Sequence, residues 1–163
     1  MVSFDGASTA EQREGSAMST TRHVGSIHVD APVETVFDYV KDPAHFYDAM
    51  PDSMRAKLRS VNMVPEGVGT TYEWVAGHLA GFELVAVVTR QESIVNERIV
   101  DGSSTGPVWT WTLEPDGGDT TVGLAFEYST KIPLMDKVID AIGWRGDRDV
   151  DAILAAIKNE VEA

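Results

Sequence analysis

The sequence predicts an α+β domain in which a curved, seven-stranded antiparallel sheet wraps a long C-terminal helix, with two short helices after the first strand. Three patterns carry this expectation. Residues 55–130 hold short apolar runs separated by Gly-, Asp- and Pro-rich links of hairpin length, which join antiparallel neighbours. Residues 30–51 show two helical spacings bounded by Pro32, Pro43 and Pro51. Residues 134–162 repeat apolar positions at helical period.

The first strand is read in Arg22 to Val29, where Ile27 and Val29 share a face. Asp30 is the expected helix cap, followed by Pro32 in the first turn and the acidic Glu34. This order suits a helix start, whose unpaired N–H groups favour oxygen acceptors and negative charge. Val33, Val36, Phe37 and Val40 fall on one helical face, and a second short helix follows between Pro43 and Pro51. Six more strands are expected at about Arg55–Val64, Gly69–Val75, Phe82–Glu92, Val95–Val100, Val108–Glu114 and Thr121–Thr130. Their links are Pro65-Glu66-Gly67, residues 77–81, a break near Ser93, Asp101-Gly102-Ser103-Ser104, and Asp116-Gly117-Gly118-Asp119.

Side chains alternate across a strand, so parity marks the buried face. Trp109, Trp111 and Leu113 share one parity, as do Val122, Leu124, Phe126 and Tyr128, while Thr110, Thr112, Gly123 and Glu127 take the other. Tyr72 with Trp74, and Phe82, Leu84, Ala86 and Val88, repeat the pattern, although Val85 and Val87 blur it. The last helix is expected from Leu134 to Glu162, its stripe formed by Val138, Ile142, Val150, Ile153, Leu154, Ile157 and Val161. Gly143 and Gly146 interrupt that stripe. Each glycine inside a helix costs about 1 kcal/mol relative to Ala, so this stretch either leaves room for a ligand or breaks the helix in two.

Composition narrows the function classes. The 163 residues carry 26 acidic against 13 basic side chains, a formal net charge of −13, which repels nucleic-acid phosphates and anionic lipid headgroups alike. Nucleic acid is therefore not an expected partner, and the surplus also suits a high-salt habitat. With no cysteine, disulfides, thiolate metal sites and cysteine nucleophiles are excluded. No apolar run approaches the roughly 18 residues needed to span a bilayer. Residues 1–21 lack a signal-peptide pattern and read as a disordered tail, with Met18 as a second candidate start. One domain over residues 22–163, a cytoplasmic location and no stable membrane insertion are the resulting expectations, with oligomeric state open.

The run from Ile27 to Phe37, Asp42-Pro43, Met50-Pro51, and Trp111-Thr112-Leu113-Glu114-Pro115 followed by Gly-Gly-Asp-Thr-Thr-Val resemble, in this order, the START-like (SRPBCC) helix-grip superfamily. That superfamily includes steroidogenic-regulatory-type lipid-transfer domains, plant pathogenesis-related allergens and bacterial polyketide cyclase/dehydrase-like proteins. The resemblance covers about Arg22 to Glu162. It implies a seven-stranded sheet gripping the last helix around a cavity, and no shared catalytic signature.

The expected cavity wall is Tyr72, Trp74, Leu84, Trp109, Trp111, Phe126, Tyr128 and Ile142, with Gly143 and Gly146 as the opening. Glu97 shares parity with Val95 and Ile99. Turned inward, it is a candidate acid or base and needs a partner such as Tyr72 or Arg145. His45, in the helical corner, is the second candidate. Glu83 and Glu127 are expected to face water. Arg145 and Arg148 read as a solvated face or as ligands for an acidic headgroup. The four histidines lack metal-site spacing, and nucleophile elbows, P-loops and dinucleotide fingerprints are absent, so no metal or cofactor is expected. The function expected is binding or transport of a hydrophobic small molecule such as a lipid, isoprenoid or aromatic polyketide. The alternatives are a cyclase or dehydratase using the same cavity, and a co-chaperone-like protein-interaction domain.

Overall fold

A computed structural model describes residues 20–54 and 56–163. The expected tail lies outside the described residues except Thr20 and Thr21, which open the first strand. The elements are β1 (Thr20–Val29), α1 (Val33–Val40), α2 (Pro43–Ala49), β2 (Lys57–Asn62), β3 (Thr71–Leu79), β4 (Phe82–Ile94), β5 (Arg98–Ser103), β6 (Val108–Asp116), β7 (Asp119–Ser129), α3 (Met135–Ile142) and α4 (Asp147–Glu162). The strands form one seven-stranded sheet in the order β1-β7-β6-β5-β4-β3-β2, antiparallel throughout.

Parity sorts the faces as the alternation implies. Trp109 pairs with Phe126, Trp111 with Leu124 and Leu113 with Val122, so the inward set stands cross-strand on the concave face. Ala86 and Val88 are buried on β4, whereas Val85 and Val87 face outward and Phe82 is exposed at the start of the strand. Register shifts at Leu58/Ser60, Val75/Gly77 and Arg90/Glu92 add twist to the β2–β5 half and bend it around the helices.

Onto the concave side α4 delivers Val150, Ile153, Leu154 and Ile157, all essentially fully buried. Burial of such a side chain is worth about 1.5–3 kcal/mol, so the end of the chain anchors the domain. Helix α1 adds Val36, Phe37 and Val40. Asp30 is not its cap: α1 starts after Pro32 with no side-chain cap, and the Asp30 N–H donates to Glu162 Oε2 at 2.8 Å, tying β1's end to the last turn of α4.

Two expectations about elements are corrected. The C-terminal helix is not continuous from Leu134 to Glu162, and of the two readings of Gly143 and Gly146 the break is the one observed. Gly143 (φ 76°) closes α3 in the left-handed region, and Gly146 (φ 79°) precedes α4, so the chain breaks between them. Asp149 stabilises the restart, its buried carboxylate accepting the Arg145 N–H at 2.6 Å. Likewise Asp101-Gly102-Ser103 is strand rather than turn, and Val95 to Glu97 is turn rather than strand.

Candidate functional site

Aromatic rings from four regions meet on the concave face. Phe46 of α2 lies edge-on to Trp109 and Trp111 of β6, with centroids 4.7 and 5.5 Å away. Phe126 of β7 lies 4.1 Å from Trp109. Trp144, from the link between α3 and α4, completes the cluster at 4.1 Å from Phe126 and 5.4 Å from Trp109. Tilted and edge-on ring pairs of this kind contribute about 0.5–1.5 kcal/mol each beyond area burial.

The interior is therefore nearly full. A void of about 20 Å³ remains, bounded by Met54, Trp74, Ala76, Trp109, Phe126 and Ile142 among others. One water needs about 10–15 Å³, and a drug-sized ligand several hundred. The expected open space at Gly143 and Gly146 is thus corrected. Both glycines belong to a tight link, and the two positive-φ residues turn the intervening Trp144 inward, where it is only 8% exposed. Stepping by four along an assumed helix misses this side chain, because the break changes which residues face the sheet.

The other expected wall residues divide. Trp74, Trp109, Phe126 and Ile142 border the void, and Trp111 is buried beside Phe46. Leu84 is half-buried, and Tyr128 is half-buried in a separate surface concavity with the β7–α3 loop. Tyr72 is buried but belongs to a polar group.

That group was not anticipated as a unit. On the concave side, Arg90 and Asp101 are 3% and 2% exposed. Arg90 Nε donates to Asp101 Oδ1 at 2.8 Å and Nη2 to Oδ2 at 3.1 Å, while Nη1 reaches the Lys41 carbonyl at 2.9 Å. The Tyr72 hydroxyl donates to Asp101 Oδ2 at 2.8 Å. Burial pushes the Tyr72 phenol well above its ordinary pKa, and the Asp101 carboxylate pushes it further. The phenol therefore keeps its proton at neutral pH and is a donor, not a base. The inward parity of Arg90 with Val88 and Ala86 is the signal that could have found it.

The two acid–base candidates lie elsewhere. Glu97 is exposed in the β4–β5 turn and not turned inward, the direction its acid–base candidacy requires. His45 stacks on Tyr39 at 3.9 Å, with Nδ1 2.7 Å from the Tyr39 carbonyl, so its ring is held by the helical corner. Glu83 is exposed, and Glu127 pairs with Arg22. Arg145 and Arg148 flank the start of α4 and are exposed. His28 lies within 3.1 Å of both Asp30 and Asp119 beside the β6–β7 hairpin, an exposed cluster whose ligand atoms lie close enough together to hold a cation.

Residues 20–162 match the family model described as polyketide cyclase / dehydrase and lipid transport. Among solved structures, the Zhui aromatase/cyclase from a Streptomyces species is similar at 17% identity and TM-score 0.60, over 88% of this chain and 94% of that one. The protein TTHA0849 from Thermus thermophilus is similar at 22% identity and TM-score 0.58, over 86% and 97%. The di-domain aromatase/cyclase StfQ of the steffimycin biosynthetic pathway gives TM-score 0.64 at 15% identity, over 95% of this chain and 55% of that one. At these identities the likeness establishes the helix-grip fold. A comparison with curated proteins finds no match. Among the described residues no helix is long and apolar enough to cross a membrane.

Proposed function

The chain belongs to the polyketide cyclase / dehydrase and lipid transport family, and from that premise we propose that it binds a small, uncharged hydrophobic molecule on the concave face of its sheet, the Trp144 indole giving way to the guest. One observation carries this reading. The Trp144 indole N–H is buried with no protein acceptor among the described residues. A buried donor without a partner costs about 1–3 kcal/mol, which a residue serving only to fill volume avoids by being Phe or Leu. Trp144 also stands between two glycines with positive φ, backbone conformations that glycine adopts without a Cβ clash. The indole thus reads as a plug with a second arrangement, in which its N–H meets guest or solvent. The aromatic walls of Trp74, Trp109, Trp111 and Phe126 would then face the guest, offering ring contacts and few charges.

Carriage of a lipid, isoprenoid or aromatic polyketide is the preferred form of this function. A cyclase or dehydratase is the second reading, favoured by the buried Tyr72–Asp101–Arg90 group at one end of the aromatic face. A guest carbonyl taking over the Tyr72 O–H from Asp101 would be polarised by that hydrogen bond rather than protonated, since burial and Asp101 hold the phenol's proton tightly.

Native mass spectrometry of the gently purified protein tests the proposal. An adduct of small apolar mass, released by organic extraction and retained less by Trp111→Ala, is the expected result. If neither the parent protein nor Trp144→Ala takes up any neutral aromatic or lipid from a panel, internal binding is wrong. Conversion of a bound polyketide that Tyr72→Phe abolishes while binding persists would select the enzymatic form.

A further inference from the structure

Another surface concavity, half open to solvent and lined in part by Arg90, lies between α1, the β2–β3 loop and the β4–β5 turn and measures about 480 Å³. Small-molecule sites span roughly 300–1,000 Å³, so its size suits a ligand where the interior void does not. One face of α1 supplies Glu34, Phe37 and Asp38 at helical spacing, and the C-cap residue Lys41 follows them. Opposite stand Met63 and Glu66 from the loop and Val95 from the turn. Met63 is 45% and Val95 69% exposed, so large apolar side chains wet in the free protein face into a concave space.

The charges of this groove are unevenly committed. Lys41 Nζ is bound to Asp38 Oδ1 at 2.9 Å, and Arg90, at the floor, is neutralised by Asp101 at 2.8 Å. Glu34 and Glu66 are exposed and make no ion pair among the described residues. Both cations are thus occupied, while two carboxylates overlook an apolar surface. A ligand anion would meet those carboxylates and find no free positive group. We propose that the groove binds a small organic cation, an apolar body carrying a protonated or quaternary amine. Its apolar part would cover Met63 and Val95 while its charge sits between Glu34 and Glu66. This site is separate from the aromatic interior and does not depend on Trp144.

Calorimetric titration of the full chain with benzyltrimethylammonium, benzyl alcohol and benzoate tests the assignment. Saturable one-to-one binding of the cation is expected, with benzyl alcohol weaker and benzoate weakest. Replacing Glu34 and Glu66 together by Gln should weaken the cation about two- to thirtyfold, the range of two exposed ion pairs, and Val95→Asn should weaken it further. Replacing Glu83 and Glu114, exposed carboxylates outside the groove, should change nothing. The proposal is overturned if benzoate binds as well as the cation, or if the Glu83/Glu114 control loses as much as the Glu34/Glu66 variant, since the protein's net negative charge then explains the attraction. It is also overturned if Trp144→Ala alone shifts the affinity, because the probe would then occupy the interior. Failure here leaves the proposed interior function standing, since that is read from uncharged ligands.

Discussion

Replacing Trp144 separates a plug from an ordinary core residue. Truncating a buried Trp to Ala costs about 3–5 kcal/mol through lost contacts and the void left behind. Trp144 is well buried between Phe126 and Trp109, so the full range applies, but its partnerless N–H returns about 1–3 kcal/mol when removed. The expected net loss for Trp144→Ala is about 2 kcal/mol, a fall of roughly 4–8 °C in melting temperature for a domain of this size. Trp144→Phe deletes the donor and keeps a ring, so it should lie within about 1 kcal/mol of the parent. The space opened in Trp144→Ala, added to the existing void, should be on the order of the 150 Å³ that admits benzene in an apolar cavity. Urea denaturation of the three proteins, with and without saturating benzene, provides the assay: benzene should stabilise Trp144→Ala most and the parent measurably but less, because the indole must first give way. The reasoning fails if Trp144→Phe is as unstable as Trp144→Ala, because the indole N–H would then be making a bond, or if benzene leaves Trp144→Ala unmoved.

Two further outcomes follow from the buried polar group. Asp101→Asn leaves the Arg90 guanidinium buried without its counter-charge, and breaking such a pair costs about 3–5 kcal/mol; a loss below about 1 kcal/mol by urea denaturation would contradict the pairing. The Tyr72 phenol is raised in the folded protein, first by burial and then by Asp101, so the folded state holds that proton more tightly than the unfolded one. Its contribution is intact below the ordinary tyrosine pKa of about 10 and is lost as pH climbs beyond it. Stability measured from pH 8 to 12 should therefore decline more steeply for the parent than for Tyr72→Phe.

Much of the architecture was readable because it rests on local repetition. Parity of two sorted Trp109, Trp111, Leu124 and Phe126 inward, since a strand facing helices on one side and water on the other must alternate. Links such as Asp116 to Asp119 joined neighbours for the same local reason. Reading failed where local and tertiary signals diverge. Asp101-Gly102 carries strong hairpin chemistry, yet it is held in β5 by pairing with Arg90 and Thr89 beside a bulge. Glu97 shares its parity with inward residues, but a turn suspends the alternation on which that inference depends.

By itself the sequence determined the order of elements, the buried face of the sheet and the acidic surface, because each follows from residue type and short-range periodicity. Only the tertiary structure decided whether the aromatic face encloses space. Two glycines with positive φ swing Trp144 inward between Phe126 and Trp109, and the choice between a filled and an open interior rests on that one change of chain direction. The groove beside α1 is likewise a product of assembly, since Glu34 and Glu66 lie far apart in the chain and face a common space only once the β2–β3 loop folds against the helix.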